Sequence, residues 1–273
     1  MPKTTDVPHE LRALNKIFSE QDYHWDCADA FRDWVDFLTE SFMPVRQGDY
    51  ERLKKKHKDL DWFVRMTHEW VMVQDRMVVG DGPHGWYDAL GTFYEVIASG
   101  SKKGIMGQFF TPETICQLMV QINGFDDSKV GKGLTVQDPA SGSGRMLLAC
   151  HAAAPGNYQF GADLDGICAK MTAVNMCIHG CVGQAVCMNS LDPDDWRFGY
   201  QINARLNLTG VPTIEPITKE QCRAWQLYQQ EKIQAKEVAP VREKPVPGNG
   251  PKPIQVRVST EAKTANTGQM SLF

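Results

Sequence analysis

Asp138-Pro139-Ala140-Ser141-Gly142-Ser143-Gly144 is the stretch from which the fold is read. Before it stands a short apolar run, Leu134-Thr135-Val136, which predicts a buried strand. After it, Arg145-Met146-Leu147-Leu148-Ala149-Cys150 predicts the first turns of a helix. Strand, glycine turn and helix together form a nucleotide-binding arrangement. Glycines without Cβ let the backbone turn tightly and lie against a ligand. The helix start presents free N–H groups and a partial positive charge. The acid at the strand end suits a cationic ligand group better than a pyrophosphate. The dinucleotide pattern G-x-G-x-x-G is not met, because Leu147 stands where its third glycine would be.

Working outward, the pattern of this unit repeats. Residues 158–162 predict a second strand, ending in Asp163-Leu164-Asp165, and a helix follows from about residue 167 to 179, closed by Gly180. Residues 184–188 predict a third strand, ending in Asn189-Ser190. Strands alternating with helices give an α/β class with a parallel sheet, and ligands bind at the strand C-terminal ends. Asp163 is placed there to accept hydrogen bonds from ribose hydroxyls, or else to cap the next helix, a role that Asp165 suits better. Beyond residue 191 the pattern stops. Residues 200–208 alternate apolar and polar, as a half-exposed strand does, and residues 218–236 read as one amphipathic helix. From 238 onward prolines, lysines, glycines and threonines predict a disordered tail.

Upstream, residues 1–100 read as helical. Phe31, Trp34, Val35 and Leu38 share one helix face, with Pro44 as a stop. A second helix is expected over residues 50–72, with Leu53, Leu60, Phe63, Val64 and Val71 as core positions. Within it Lys54-Lys55-Lys56-His57-Lys58 reads as a solvated face or as a phosphate contact. Gly80-Asp81-Gly82-Pro83 is a break, residues 86–97 form another helix, and residues 99–104 form a flexible connector. Thr111-Pro112-Glu113 opens a helix to about residue 122, with Thr111 as N-cap and Pro112 in the first position.

The Asp138–Gly144 phrase resembles motif I, D-P-A-C-G-S-G, of the S-adenosylmethionine-dependent DNA methyltransferases. Gly107-Gln108-Phe109-Phe110-Thr111-Pro112 just upstream resembles the cofactor loop G-Q-F-F-T-P of the N6-adenine methyltransferases, especially the methylation subunits of type I restriction-modification systems. Asp88-Ala89-Leu90-Gly91-Thr92-Phe93-Tyr94-Glu95 resembles the helix that leads into that loop. The resemblance covers roughly residues 85–191. It implies a Rossmann-like methyltransferase sheet, S-adenosyl-L-methionine as cofactor and DNA as substrate. On this reading Asp138 meets the cofactor's amino-acid ammonium. Pro139, Ala140, Gly142 and Gly144 form the turn against it. Asp163 takes the ribose, Asn189 reads the adenine, and Phe110, Thr111 and Pro112 belong to the covering loop.

The family's catalytic tetrapeptide [DNS]-P-P-[YF], which holds the adenine amino group and stacks on a flipped base, occurs nowhere in the chain. Counting from Asn189, its slot falls near Asn207-Leu208-Thr209-Gly210, where Asn207 is the one candidate acceptor. The later strands of the family's sheet and a target-recognition domain lack sequence to encode them. Weak or absent turnover by the chain alone is therefore expected. The alternatives are a non-catalytic regulator or decoy that binds the cofactor or DNA, and half of a split enzyme.

Composition sets outer limits. Twenty-nine basic residues against 33 acidic, net −4, exclude a uniformly basic nucleic-acid surface but not local patches. No apolar run reaches membrane-spanning length and no signal peptide opens the chain, so a cytoplasmic protein is expected. Eight scattered cysteines without a C-x-x-C pair read as reduced thiols rather than a metal site. The expected organisation is a helical unit over 1–100, a methyltransferase-like unit over 101–210, a helix over 211–237 and a tail over 238–273. The tail ends in Gln269-Met270-Ser271-Leu272-Phe273, which resembles the pentapeptide that bacterial replication and repair proteins dock on the sliding clamp, with Gln269, Leu272 and Phe273 as the contact residues. That resemblance implies a bacterial or phage setting. The family resemblance adds a second methyltransferase chain or a specificity subunit as a further partner.

Overall fold

The structure, a computed structural model, describes residues 4–20, 26–57, 59–100, 110–238 and 269–271. Three strands, β1 (Thr135–Asp138), β2 (Tyr158–Asp163) and β3 (Val182–Asn189), run parallel, joined by α7 (Arg145–Ala153) and α8 (Gly166–Ile178). The four central residues of β2 and six of β3 are buried on both faces, as parallel strands covered by helices must be. These elements follow the expected order closely. The fold is the α/β, Rossmann-like class read from the sequence.

After β3 the chain turns back on itself. A hairpin, with Asn189 opposite Asp192, leads into β4 (Asp192–Ile202), which pairs antiparallel with β3, and β5 (Ile214–Ile217) pairs antiparallel with β4. The expected half-exposed strand over 200–208 thus begins earlier and ends at Ile202. Asn203, the one non-glycine residue with positive φ (55°) among the described residues, bends the chain there, and its side-chain amide nitrogen donates to Cys177 O (3.0 Å) and Cys181 O (2.9 Å). Residues 206–209 form the short helix α9 (Leu206–Thr209) instead. The sheet therefore continues past residue 210. Its order is β5-β4-β3-β2-β1-β6, where β6 is Gln269–Ser271, lying parallel to β1 with Ser271 opposite Gln137. These three residues, expected in a disordered tail, extend the sheet, because the free edge of β1 offers unpaired backbone groups to any extended segment. Leu272 and Phe273 lie outside the described residues.

One core joins the helical part to the first face of the sheet, running from Val7 to Ile214. It includes α1 (Arg12–Phe18), α2 (Cys27–Ser41), α3 (Asp49–His57), α4 (Asp61–Gly80), α5 (Ala89–Gly100) and α6 (Glu113–Ile122). Phe31, Trp34, Val35 and Leu38 are all buried, as expected. The single helix expected over 50–72 is two. The Glu40 carboxylate accepts the backbone N–H groups of Gln47, Gly48, Asp49 and Tyr50 and starts α3, and α4 restarts at Asp61. That restart changes the phase of the buried stripe. Leu53 and Phe63 are buried, but Val64 and Val71 are exposed, and Trp62, Met66, Trp70 and Val73 take the core positions. Part of the lysine run also turns inward: Lys56 Nζ (2.5 Å) and His57 Nε2 (2.8 Å) both meet Asp33.

The second face of the sheet is covered by α10 (Arg223–Val238). Cys222, Ala224 and Trp225 pack on Phe160, Ala162, Val186 and Met188. The helix expected over 218–236 is borne out from Arg223 onward.

Candidate functional site

The motif turn lies at the C-terminal end of β1. Asp138 is buried at 3% exposure, and its carboxylate accepts the Ala140 N–H at 3.1 Å. Ser141 N–H bonds to Ala162 O of β2 (2.9 Å), which ties the turn to the neighbouring strand. Gly142 has φ +55°, and its N–H donates to the Asp163 carboxylate at 2.8 Å. Gly144, at φ +91°, is the residue on which α7 starts. Asp163 also accepts the Asp165 N–H (2.8 Å), while Asp165 caps α8 by accepting from Ile167 N–H (3.0 Å). The capping role falls to Asp165, and Asp163 faces the turn.

Two carboxylates thus stand together at the strand ends. Burial pushes Asp138 up to about 6; the Ala140 N–H works against this, and the charge of Asp163 adds to it. Burial also raises Asp163, opposed by the N–H groups of Asp165 and Gly142. A buried carboxylate with one backbone donor is electrostatically incomplete, and a cationic group is what completes it.

Phe110 lies over the turn. A Cβ placed on Gly142 would stand 2.6 Å from Phe110 Cδ1, so only a glycine admits the ring. Phe110 is half-buried, with its ring centroid 5.6 Å from Tyr94 and the Arg145 guanidinium 5.5 Å from its centre. Covering the turn and packing on the core are therefore both done by this side chain. Thr111 and Pro112 are exposed. Pro112 rather than Thr111 occupies the N-cap of α6, with no side-chain cap bond, because the helix begins at Glu113, one residue later than expected. Gly107, Gln108 and Phe109 lie outside the described residues.

Gly142→Ala is expected to lose ~1–3 kcal/mol of stability, since it combines a left-handed backbone with a clash against Phe110. Gly124→Ala is the control. Its φ is +67° and its Cβ would meet nothing within 4 Å, so thermal melts of the two variants separate backbone strain from displacement of the ring. Equal losses would show that Phe110 is not pressed on the turn.

Asn189 and Asn207 are placed differently from the others. Asn189 ends β3 at the correct end of the sheet, but its side-chain oxygen accepts the Leu191 N–H at 3.1 Å and shapes the β3–β4 hairpin. The tip of that hairpin touches the motif turn through Ser190 Oγ, which donates to Pro139 O at 2.6 Å. Asn207 is exposed on α9, beyond Ile202, which pairs with Gly183 at the start of β3. The length of β3 separates it from Asp138, roughly 20 Å at the usual rise per residue. Because β4 runs antiparallel, the chain returns to the far end of the sheet before it reaches Asn207.

The residues that the sequence reading passed over are those that hold the turn. Asp88, wholly buried just before α5, accepts from Ser143 Oγ (2.5 Å), Arg145 Nε (2.7 Å), Asn175 Nδ2 (2.7 Å) and Gly91 N–H (2.8 Å). Arg145 reaches on to Glu95 (2.9 Å) and Thr92 Oγ1 (3.1 Å), and Glu95 accepts the Phe110 N–H at 3.0 Å. Thr172 Oγ1 donates to Gly142 O (3.0 Å) from α8. One network therefore fixes both the turn and the backbone of Phe110, whose ring lies over it. The signal in the sequence was the Asp88–Glu95 phrase, whose acids are the two that Arg145 uses.

Residues 86–204, from Trp86 through β4, match the family described as N-6 DNA methylase. This segment, somewhat under half of the chain, is similar to the N-6 DNA methylase family. The match takes in the Asp88 network, the loop end, the motif turn and the first four strands. A crystal structure of the type I restriction-modification system methyltransferase subunit from Streptococcus thermophilus is similar over 64% of this chain and 42% of that one, at 20% identity and a TM-score of 0.32. The chain thus spans less than half the length of that methylase subunit. No curated protein matches the chain. None of the eight cysteines, all among the described residues, is in a disulfide. Among the described residues no helix is long and apolar enough to cross a membrane.

Proposed function

We propose that this N-6 DNA methylase-like segment binds S-adenosyl-L-methionine at the ends of β1–β3 and serves N6-adenine modification of DNA in the cytoplasm. The observation that carries the reading is the buried, incompletely paired Asp138 carboxylate beneath a positive-φ glycine turn. Asp138 holds the amino-acid ammonium, Gly142 and Gly144 keep the backbone open, Asp163 takes the ribose and Phe110 closes over the site. When bound, the cofactor supplies a methyl group on a sulfonium, ready for transfer to a nucleophilic amine. Asn189 is engaged in the hairpin and contributes to adenine reading only if that bond exchanges. Calorimetry is the test: the intact chain binds the cofactor, and Asp138→Ala and Gly142→Val each abolish binding. Equal affinity for all three proteins would remove this reading.

Two features favour a cofactor-binding subunit over a self-sufficient enzyme. The [DNS]-P-P-[YF] tetrapeptide is absent, and Asn207 lies at the wrong end of the sheet. Stacking on a flipped base contributes ~1–3 kcal/mol, and a positioned acceptor typically contributes ~10²-fold or more in rate. Methyl transfer to adenine-containing duplex by the purified chain is expected to be undetectable, and to appear on addition of a second methyltransferase chain or a specificity subunit. Robust turnover by the chain alone, lost in Asn207→Ala, would overturn this. Docking of Gln269, Leu272 and Phe273 on a bacterial sliding clamp is a separate proposal. It requires Gln269–Ser271 to leave β1, and a pull-down with purified clamp tests it against a Leu272→Ala, Phe273→Ala variant.

A further inference from the structure

At the end of the sheet away from the motif turn, a cavity of about 330 Å³ lies between α4, the Gly85-Trp86 segment and the last turns of α7 and α8. Val78, Trp86, Leu148 and Ile178 make its walls mainly apolar. Two polar side chains interrupt them. Gln74 is only 4% exposed, and neither its Oε1 nor its Nε2 has a hydrogen-bond partner. The Nδ1 of His151 is likewise buried without one. His179, also in the wall, differs: its Nδ1 bonds to Asn175 O (2.8 Å) and its Nε2 accepts the Tyr87 N–H (3.4 Å). Native proteins rarely leave a buried carboxamide wholly unpaired, and such a group calls for an explanation.

The wall carries no cation. Burial, with the nearby His179, holds His151 down at about 4, so its imidazole is neutral at physiological pH. Asp75, the one carboxylate in the lining, is exposed at the edge. A charged ligand would find no counter-charge inside. A carboxamide, by contrast, offers a donor and an acceptor in one plane, which matches the N7 and N6 edge of adenine. Apolar walls with an indole among them suit the faces of a flat ring, and the volume is that of a small-molecule site.

We propose that this cavity is a binding site for a neutral, planar heterocycle that carries a hydrogen-bond donor and acceptor side by side, the chemistry of a nucleobase, and that the Gln74 carboxamide reads that edge. The site is distinct from the strand-end turn and does not rest on the cofactor reading. His151 and Leu148 lie on α7, the helix that begins at the motif turn with Arg145.

Adenosine is the probe, titrated calorimetrically into the full chain with S-adenosylhomocysteine present in excess, so that the strand-end site is blocked if it takes that ligand. Sub-millimolar binding is expected. Gln74→Leu should weaken it at least tenfold. On the unaltered protein 7-deazaadenosine, which lacks the N7 acceptor, should also bind at least tenfold more weakly, a comparison that stands even if the Gln74 variant fails to fold. No adenosine binding to the full chain, binding unchanged in Gln74→Leu, or equal affinity for the deaza analogue would each overturn the proposal, leaving a cavity filled by water alone. Loss of S-adenosylhomocysteine binding without loss of adenosine binding would count against the cofactor reading only.

Discussion

Asp138→Asn is expected to make the protein more stable at pH 7.5 and to weaken the proposed binding of S-adenosylmethionine about 10- to 100-fold. The Asp138 carboxyl titrates at about 6 in the folded chain against 3.8 for an unperturbed aspartate, chiefly because it is buried. A carboxyl with a raised folded pKa binds more protons folded than unfolded between those two values. Its ionised form therefore opposes folding: the penalty is fully present above about pH 6, shrinks as pH falls, and is gone near pH 4. Two pKa units correspond to ~3 kcal/mol, or roughly 6–12 °C in Tm for a chain of this size. The amide keeps the acceptor for the Ala140 N–H and discards the charge, so the gain should be close to that full amount at pH 7.5 and absent at pH 4.

On the proposed reading, in which Asp138 holds the cofactor's ammonium, the same substitution removes a charge-assisted bond of ~1.5–3 kcal/mol, so affinity should fall by about 10- to 100-fold. For the unaltered protein the sign of the pH effect follows. If the ligand is held by ionised Asp138, as proposed, affinity should hold above pH 6 and decline about tenfold per pH unit below it. Melting curves and calorimetry across pH 4–8 read both effects. A variant no more stable at pH 7.5 than at pH 4, relative to its parent, would mean that Asp138 carries no buried charge.

The first half of the sheet was legible because each of its signals is local. An apolar run, a glycine turn and a helix start lie next to each other from 134 to 150, and the second and third strands repeat the scheme. The reversal after β3 was not, because Asn189-Ser190 reads equally well as the end of a parallel strand. The loop residues Ser190 and Leu191 include no glycine, so the usual mark of a two-residue hairpin is missing. That one turn decides where Asn207 lies, and counting residues from Asn189 could not reveal it. The break between α3 and α4 escaped for a related reason: Glu40, which starts α3 by accepting four N–H groups, is seven to ten positions away. Asp88 is the clearest case. Its side-chain partners stand 55, 57 and 87 residues downstream. Its own surroundings, Tyr87 to Gly91, suggest only the start of a helix.

Replacing Asp88 should have the largest effect on stability of any single change at this site. In Asp88→Ala the donors of Ser143, Arg145, Asn175 and Gly91 lose their acceptor together. The space itself is specific: a Cβ on Gly91 would fall 2.0 Å from Asp88 Oδ2 and 2.4 Å from Ser143 Oγ, so the carboxylate sits hard against the α5 backbone. Arg145, whose side chain is only 7% exposed, retains Glu95 but is otherwise left as an underpaired buried charge. Breaking a buried pair by removing one partner costs about 3–5 kcal/mol. Removing both charges avoids the lone ion, so Asp88→Ala with Arg145→Met should be less destabilised than the two single variants sum to, by ~1–3 kcal/mol. Arg145→Lys should not substitute, because one ammonium cannot reach Asp88, Glu95 and Thr92 as the guanidinium fork does. Cofactor affinity should fall with Asp88→Ala as well, since Ser143 and the Phe110 N–H are held through the same network. Denaturant unfolding of the two single variants and the double variant measures the coupling, and calorimetry reads the site. Strictly additive losses, or cofactor binding untouched by Asp88→Ala, would show that the network stabilises the core without positioning the turn.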